Sequence, residues 1–309
     1  MSFETYVQEL VDPARALVAS KLASLSNMEP AEAALLADVW LDMEANRRRS
    51  LVQQLVDIAE DNIELNFDAA FLLALADEDA EVRRAAIAGL WEYEGRDLID
   101  ALLELLRSDS DAAVRAEAAS ALGRFILQAE FDVLRSTESE RIEEALRLTF
   151  EDEDELAEVR GRALESIGAR SEAWVEDLID RAYDSPDRRL RLSAVHAMGR
   201  SCDAAWLPKL VTELESDDAE MRFEAAVACG SIGDDAATSY LVPLLHDEDA
   251  ETQEAAIAAV GEIGGAEARE ALQNIVEGAD ERVREAVDVA LAGLEFADNP
   301  LGAQLKGLS

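Results

Sequence analysis

Histidine and cysteine, the side chains most specific for metal, acid–base or nucleophilic chemistry, are few and scattered in this chain of 309 residues. The histidines are His196 and His246, and the cysteines are Cys202 and Cys229. Neither cysteine has metal or redox spacing. Cys229 falls in a hydrophobic column, where a thiol behaves as a small apolar group. No glycine-rich phosphate loop, nucleophile elbow or Cys/His ligand cluster is present. Acidic pairs such as Glu151 and Asp154 carry no information among 68 carboxylates. Arginine, by contrast, recurs with regular spacing.

Arg83, Arg115, Arg160, Arg191, Arg222 and Arg284 each follow an aliphatic residue, at steps of 32, 45, 31, 31 and 62. Gln253 stands at the midpoint of the last step. A period near 31 residues marks a stacked repeat array. The copies read DAEVRRAAIAGLW from Asp79, DAAVRAEAASALG from Asp111, DRRLRLSAVHAMG from Asp187, DAEMRFEAAVACG from Asp218, DAETQEAAIAAVG from Asp249 and DERVREAVDVALA from Asp280. The leading Asp is expected to cap a helix N-terminus. Gly123, Gly168, Gly199, Gly230 and Gly261 are expected to end the helices in the left-handed conformation. The third copy has Leu156 at the cap position, with Asp154 or Glu155 as its substitute.

Three columns define the buried face. Val82, Val114, Val159, Leu190, Met221, Thr252 and Val283 form the first. Four residues on stand Ala86, Ala118, Ala163, Ala194, Ala225, Ala256 and Val287, and four further on an aliphatic, Met or Cys. This i, i+4, i+8 stripe predicts an amphipathic helix with its apolar side inward. A second amphipathic segment lies between copies, as at Asp97–Ser108, so each unit is a two-helix hairpin. A hairpin cannot bury its apolar face alone, and stacking neighbours closes the core. The recurrent Arg is expected to bridge to the acidic turn of the next unit, as a structural ladder.

The pattern D-x-D-A-x-V-R-x-A-A-x-x-A-L-G resembles a HEAT repeat, most nearly the short bacterial subtype known from phycobilisome lyases. The resemblance implies an all-α fold, an α-α superhelix or solenoid with about seven clear hairpins and a divergent N-terminal cap. It divides the chain into a helical cap (1–66), the repeats (67–294, with an insertion near 127–138) and a C-terminal tail (295–309). The family is poorly specific for activity, since it spans scaffolds, lyase subunits, a hydroxylase and glycosylases. A deoxyhypusine hydroxylase needs several His-Glu pairs for two irons. Here His196 precedes Ala197 and His246 precedes Asp247, which excludes that activity. No catalytic residue, metal or cofactor is expected.

A formal charge of −40, with only Lys21, Lys209 and Lys306 as lysines, argues against phosphate backbones and anionic membranes. It leaves basic protein partners open, and it fits either a salt-adapted host or a GC-rich genome. No apolar run approaches membrane length and no leader with a hydrophobic core is evident, so a cytoplasmic protein is expected.

Motif helices of HEAT hairpins line the concave side, so their exposed columns are the place to seek a working surface. In the fourth and fifth copies these columns hold Arg189, Leu192, Ser193, His196, Arg200, Phe223 and Val227. Between Arg181 and Arg200 five arginines face only Asp184 and Asp187. Arginine and aromatic residues are typical interface hot spots, so this patch is expected to hold a protein partner through an acidic segment. The function expected is a non-catalytic scaffold or adaptor. The alternative is a phycobilin-lyase-like accessory subunit acting on a tetrapyrrole or a protein-bound group.

Overall fold

The computed structural model describes residues 2–131, 133–276 and 279–298, and among them every regular element is a helix. In chain order they are α1 (Phe3–Val11), α2 (Ala19–Leu22), α3 (Pro30–Val39), α4 (Ala45–Asp61), α5 (Asp68–Ala74), α6 (Ala80–Gly89), α7 (Arg96–Ser108), α8 (Ala112–Glu130) and α9 (Ser136–Glu151). Then follow α10 (Ala157–Ile167), α11 (Ala173–Tyr183), α12 (Arg188–Ser201), α13 (Leu207–Glu213), α14 (Ala219–Ile232), α15 (Thr238–Leu241), α16 (Ala250–Ile263), α17 (Gly265–Ile275) and α18 (Glu281–Asp298). Short 3₁₀ turns precede α13 and follow α15. The fold class is the α-α superhelix. Two compact units are present, one of residues 1–125 and 134–163, the other of 126–133 and 164 onward.

Six of the seven motif helices (α6, α8, α12, α14, α16 and α18) start where an Asp side chain takes the first free amides. Asp79 accepts from Glu81 and Val82, Asp111 from Ala113 and Val114, and Asp187 from Arg189 and Leu190. Asp218, Asp249 and Asp280 accept from Glu220, Thr252 and Val283. At α10, Glu155 accepts only the Leu156 amide, because its carboxylate is engaged by Arg115.

The helix ends differ from the sequence expectation. Gly123, Gly199, Gly230 and Gly261 lie inside their helices, and Gly168 directly follows α10. The left-handed stops stand three residues later, at Cys202 (φ 51°), Gly233 (φ 69°) and Gly264 (φ 79°). Thus in Gly230-Ser-Ile-Gly233 and Gly261-Glu-Ile-Gly264 the second glycine terminates the helix. The first permits close packing instead. A Cβ on Gly168, Gly199, Gly230 or Gly261 would stand 2.7–3.2 Å from the Cα of Ala197, Ala228, Ala259 or Ala290 on the next motif helix. In α8 the stop position is Ile126, which is buried, and the helix runs on to Glu130.

Both inner columns of the stripe are buried in every copy, and the alanines at the centre have no exposure at all. The third column is buried from Leu90 to Val260, while Leu291 in α18 is half-buried. Thr252 replaces an aliphatic residue without an orphaned hydroxyl, since its Oγ1 donates to the Ala219 carbonyl at 3.1 Å. Between motif helices, α7 buries Leu98, Ile99, Leu102, Leu103 and Leu106, as an amphipathic partner must. Glu295 to Asp298 continue α18, and residues 299–309 of the expected tail lie outside the described residues.

Candidate functional site

Two sets of arginines must be separated before any surface can be assigned. The first set belongs to the fold. Arg83 donates through Nε and Nη2 to both oxygens of Asp109, at 2.7 Å each, and through Nη1 to the Asp77 carbonyl. Arg222 repeats this with Asp247 and the Ser216 carbonyl, and Arg115 with Glu155 and the Asp109 carbonyl. Each guanidinium therefore ties the turn before its own helix to the turn of the next copy, through a bidentate, charge-assisted pair. The Arg222 and Arg115 guanidinium groups hold Asp247 and Glu155 below the usual carboxylate range. Burial pushes Asp109 up, and Arg83 outweighs it, so this carboxyl is also lowered.

Arg160 and Arg191 are placed differently. Arg160 donates to the Phe150 carbonyl and lies over its ring. Arg191 donates to the carbonyls of Ser185 and Pro186. The acidic acceptor stands two residues before the capping Asp in the pairs Asp77/Asp79, Asp109/Asp111 and Asp247/Asp249. Serines occupy that position before Asp187 and Asp218, namely Ser185 and Ser216. Their hydroxyls still accept the amides of Asp187 and Asp218, so the turn survives without the charge. Arg284 lies in the last motif helix, α18.

Sequence reasoning missed one member of the ladder. Arg48 in α4 donates to Asp77 at 2.7 and 3.1 Å and to the Met43 carbonyl. Its side chain is 2 % exposed and that of Asp77 0 %, and the Trp40 indole also donates to Asp77 at 2.6 Å. The signal was present: Glu44 precedes α4 at the cap position, and Arg48 follows it by four residues, as Arg83 follows Asp79.

The second set is the patch on α12 and α14. Here the structure corrects two residues expected to be exposed. Leu192 is 5 % exposed and Ser193 0 %, because the close Gly-on-Ala approach brings the neighbouring motif helices over these positions. Ser193 donates to Glu165 at 2.8 Å, and Arg189 donates to both Ser193 and Glu165 at 2.8 Å. Arg188 is taken by Asp218 and Glu220, and these carboxylates push its pKa further up. His196 Nδ1 lies 3.2 Å from Glu224. The local surplus of positive charge is thus met by acids of adjoining helices. Phe223 is half-buried, while Arg200 and Val227 are exposed.

Val227 belongs to a column six residues after each aliphatic position. In α14, α16 and α18 that column reads Val227, Ala258 and Val289, all exposed, with Val289 at 75 %. It forms an apolar line in a chain of charge −40. The sequence held this signal in the 31-residue step from 227 to 258 to 289. Tracing the column only through the fourth and fifth copies left it unread.

Among the described residues, no group of three or more His, Cys, Asp or Glu side chains is placed to hold a metal ion. Burial pushes the Cys229 thiol up to about 12, which disfavours the reactive thiolate. Cys202 is exposed. Among the described residues no helix is long and apolar enough to cross a membrane.

Comparisons with known proteins agree with the geometry. None of the curated proteins compared matches in sequence. Among solved structures, the CpcE–CpcF complex of phycocyanin lyase from Nostoc sp. PCC7120 aligns at TM-score 0.53 and 18 % identity, over 92 % of this chain and 97 % of that one. A Kap121p mutant aligns at TM-score 0.53 and 13 % identity, over 96 % of this chain, which spans 38 % of Kap121p. YibA of E. coli aligns at TM-score 0.48 and 18 % identity, over 92 % and 99 %. At identities this low, the two alignments at TM-score 0.53 speak for the fold alone. The HEAT repeats family matches residues 69–151 and 207–292, more than half of the chain. With its stacked motif helices and capping aspartates, the chain belongs to the HEAT-repeat family.

Proposed function

We propose that this protein is a non-catalytic scaffold that docks a protein partner along the exposed face of its motif helices. HEAT-repeat arrays commonly bind protein partners, and a fold of this kind carries no activity by itself. The observation behind the reading is the exposed line Val227–Ala258–Val289. Isolated apolar side chains on a surface need no explanation, and it is the repetition of this position on three consecutive motif helices that supports the reading. Capping, ladder and seam positions are used up by the fold, whereas this column stays exposed, Val227 at 36 % and Val289 at 75 %. An acidic segment held at Arg189 and Arg200 was the partner chemistry expected from sequence. Glu165 and Glu224 weaken that reading by meeting Arg189 and His196 within the fold. The lyase-like alternative draws on fold likeness alone.

The test is affinity capture with the full chain and with a Val227→Glu/Val289→Glu variant of unchanged helicity. Stoichiometric partners bound by the first and lost by the second are expected. Equal recovery by both would remove the apolar line from the proposal. Recovery of no protein at all would remove the scaffold.

A further inference from the structure

The outer end of the apolar line opens into a groove between α16 and α18 that encloses about 680 Å³. Its floor is small and open. Gly261 brings the two helices together, since a Cβ placed there would stand 2.8 Å from Ala290 Cβ, whereas a Cβ on Gly293 would meet nothing within 4 Å. Val289 forms one wall, and Ala258 and Ala286 complete the apolar surface. A span from residue 254 to residue 262 is about 12 Å at the α-helical rise, room for one or two bulky side chains.

The charge at the rim is one-sided. Arg282 lines the groove, but it is already held by Glu254 at 2.6 Å and by Gln253 at 2.7 Å. Glu262 and Glu285 line the groove as well, so the rim is net negative in an already acidic chain. An apolar floor under carboxylates selects a ligand with bulky apolar groups flanked by cations. Acidic segments are repelled, and uncharged apolar segments forgo the rim.

We infer that the α16–α18 groove binds a short basic amphipathic segment of a partner protein, seating an aliphatic or aromatic side chain over Gly293 while Lys or Arg pairs with Glu262 and Glu285. This deepens the scaffold reading by naming the chemistry of the docked segment, and it rests on that reading. Salt weakens the contact, because the ion pairs are at the rim.

The probe is a fluorescein-labelled twelve-residue peptide of leucine and lysine with helical amphipathic spacing, titrated by anisotropy with the full chain. Two comparison peptides replace lysine by glutamate or leucine by serine. The leucine–lysine peptide is expected to bind about tenfold or more tighter than either, a difference of one decade per 1.4 kcal/mol. Gly293→Phe, which fills the floor, weakens it by a similar factor. Glu262→Lys/Glu285→Lys does the same through the rim and keeps the test open if Gly293→Phe unfolds α18. The charge-matched Glu153→Lys/Asp154→Lys variant, at exposed positions of the other unit, leaves binding within about twofold.

Equal weakening by the groove and distant variants, or tight binding of the serine–lysine peptide, would reduce the contact to general charge attraction and overturn the inference. A chain ended at Asp298 that binds the peptide much more tightly would assign the groove to residues 299–309 and overturn it too. Capture experiments separate the two readings. Partners lost on Val227→Glu while the peptide ignores the groove variants would sink the groove and spare the scaffold.

Discussion

Gly199→Ala and Gly293→Ala should move stability in opposite directions, although both replace a glycine inside a helix. The intrinsic gain is the same for each, about 0.5–1 kcal/mol from lower backbone entropy in the unfolded chain and better helix propensity. At Gly293 nothing lies within 4 Å of the new methyl group, so the gain is realised. At Gly199 the methyl would stand 2.7 Å from the Cα and 2.9 Å from the Cβ of Ala228. Ordinary carbon contacts sit at about 3.5–4.0 Å, so α12 and α14 must part by roughly 1 Å. The obstacle is backbone and cannot rotate away. Overpacking of this kind costs about 1–3 kcal/mol, and subtracting the propensity gain leaves a net loss centred on about 1 kcal/mol, within roughly 0–2.5. The assay is thermal unfolding by far-UV circular dichroism, with amide exchange on α12 and α14, since repeat arrays open by neighbouring units. Gly199→Ala lowers the midpoint by about 1–4 °C and Gly293→Ala raises it by about 1–2 °C. Adding Ala228→Gly to Gly199→Ala restores part of the loss, a coupling of about 1 kcal/mol. If Gly199→Ala stabilises as Gly293→Ala does, or if the double variant is simply additive, the seam is not what holds these helices together.

Arg48→Ala strands Asp77, whose side chain has no exposure, and should cost about 3–5 kcal/mol, read as early urea unfolding of the N-terminal helices by limited proteolysis. Asp77→Asn should cost less, and equal losses would contradict the buried pair. Ser216→Asp places an acid where Asp109 and Asp247 stand and offers Arg191 the missing partner. A gain of about 0.5–1 kcal/mol in chemical denaturation is expected, and an unchanged or lower midpoint would show that the acceptor register fails at that turn. Cys202→Gly relieves a left-handed non-glycine residue at φ 51° and should stabilise α12 by about 1 kcal/mol; no gain in the melt would contradict the strain. Asp109, Glu155 and Asp247 have folded pKa values below their unfolded ones. Their contribution is present above the unfolded carboxylate range near ~4 and is lost as pH falls through the lowered values. The Tm–pH curve should drop below about pH 4, and Arg222→Gln should flatten that limb. An unaltered limb would take the ladder out of the acid response.

The repeat was legible because its period is imposed by stacking: every copy must present an aliphatic, Met or Thr side chain, a small one (Ala or Val287) and an apolar one at fixed steps to the same core. The capping aspartates were legible for the same reason, since each helix begins with the same unpaired amides. The glycines were misread because two requirements lie three residues apart in Gly-x-x-Gly, and sequence alone does not say which glycine meets a neighbour. Gly233 and Gly264 take the positive φ, whereas Gly230 and Gly261 receive an alanine of the next helix. Arg48 went unread because Arg47 replaces the aliphatic residue that precedes every other ladder arginine. Burial of Leu192 and Ser193 depends on how closely α12 meets its neighbours, a distance that periodicity does not encode.

Sorting the columns by what they contact separates fold from function. The cap and the stop are spent on their own helix, and the ladder arginine, the buried central alanine and the seam glycine on joining copies, so their chemistry is internal. The column six residues beyond the aliphatic position has no constant duty, and it changes character along the second unit. Glu165 and His196 are tied to Arg189, Ser193 and Glu224, whereas Val227, Ala258 and Val289 meet solvent. Exposed valine is costly to keep wet, on the order of 1–2 kcal/mol for a full side chain, and Val289 is 75 % exposed in a helix whose other outward positions are largely charged. A partner docked on that line, as proposed, would meet a chain of charge −40, which favours a basic one by attraction and by faster encounter at low salt. Recognition in this chain is therefore expected from the apolar column and its acidic rim, with the arginines holding the scaffold that presents them.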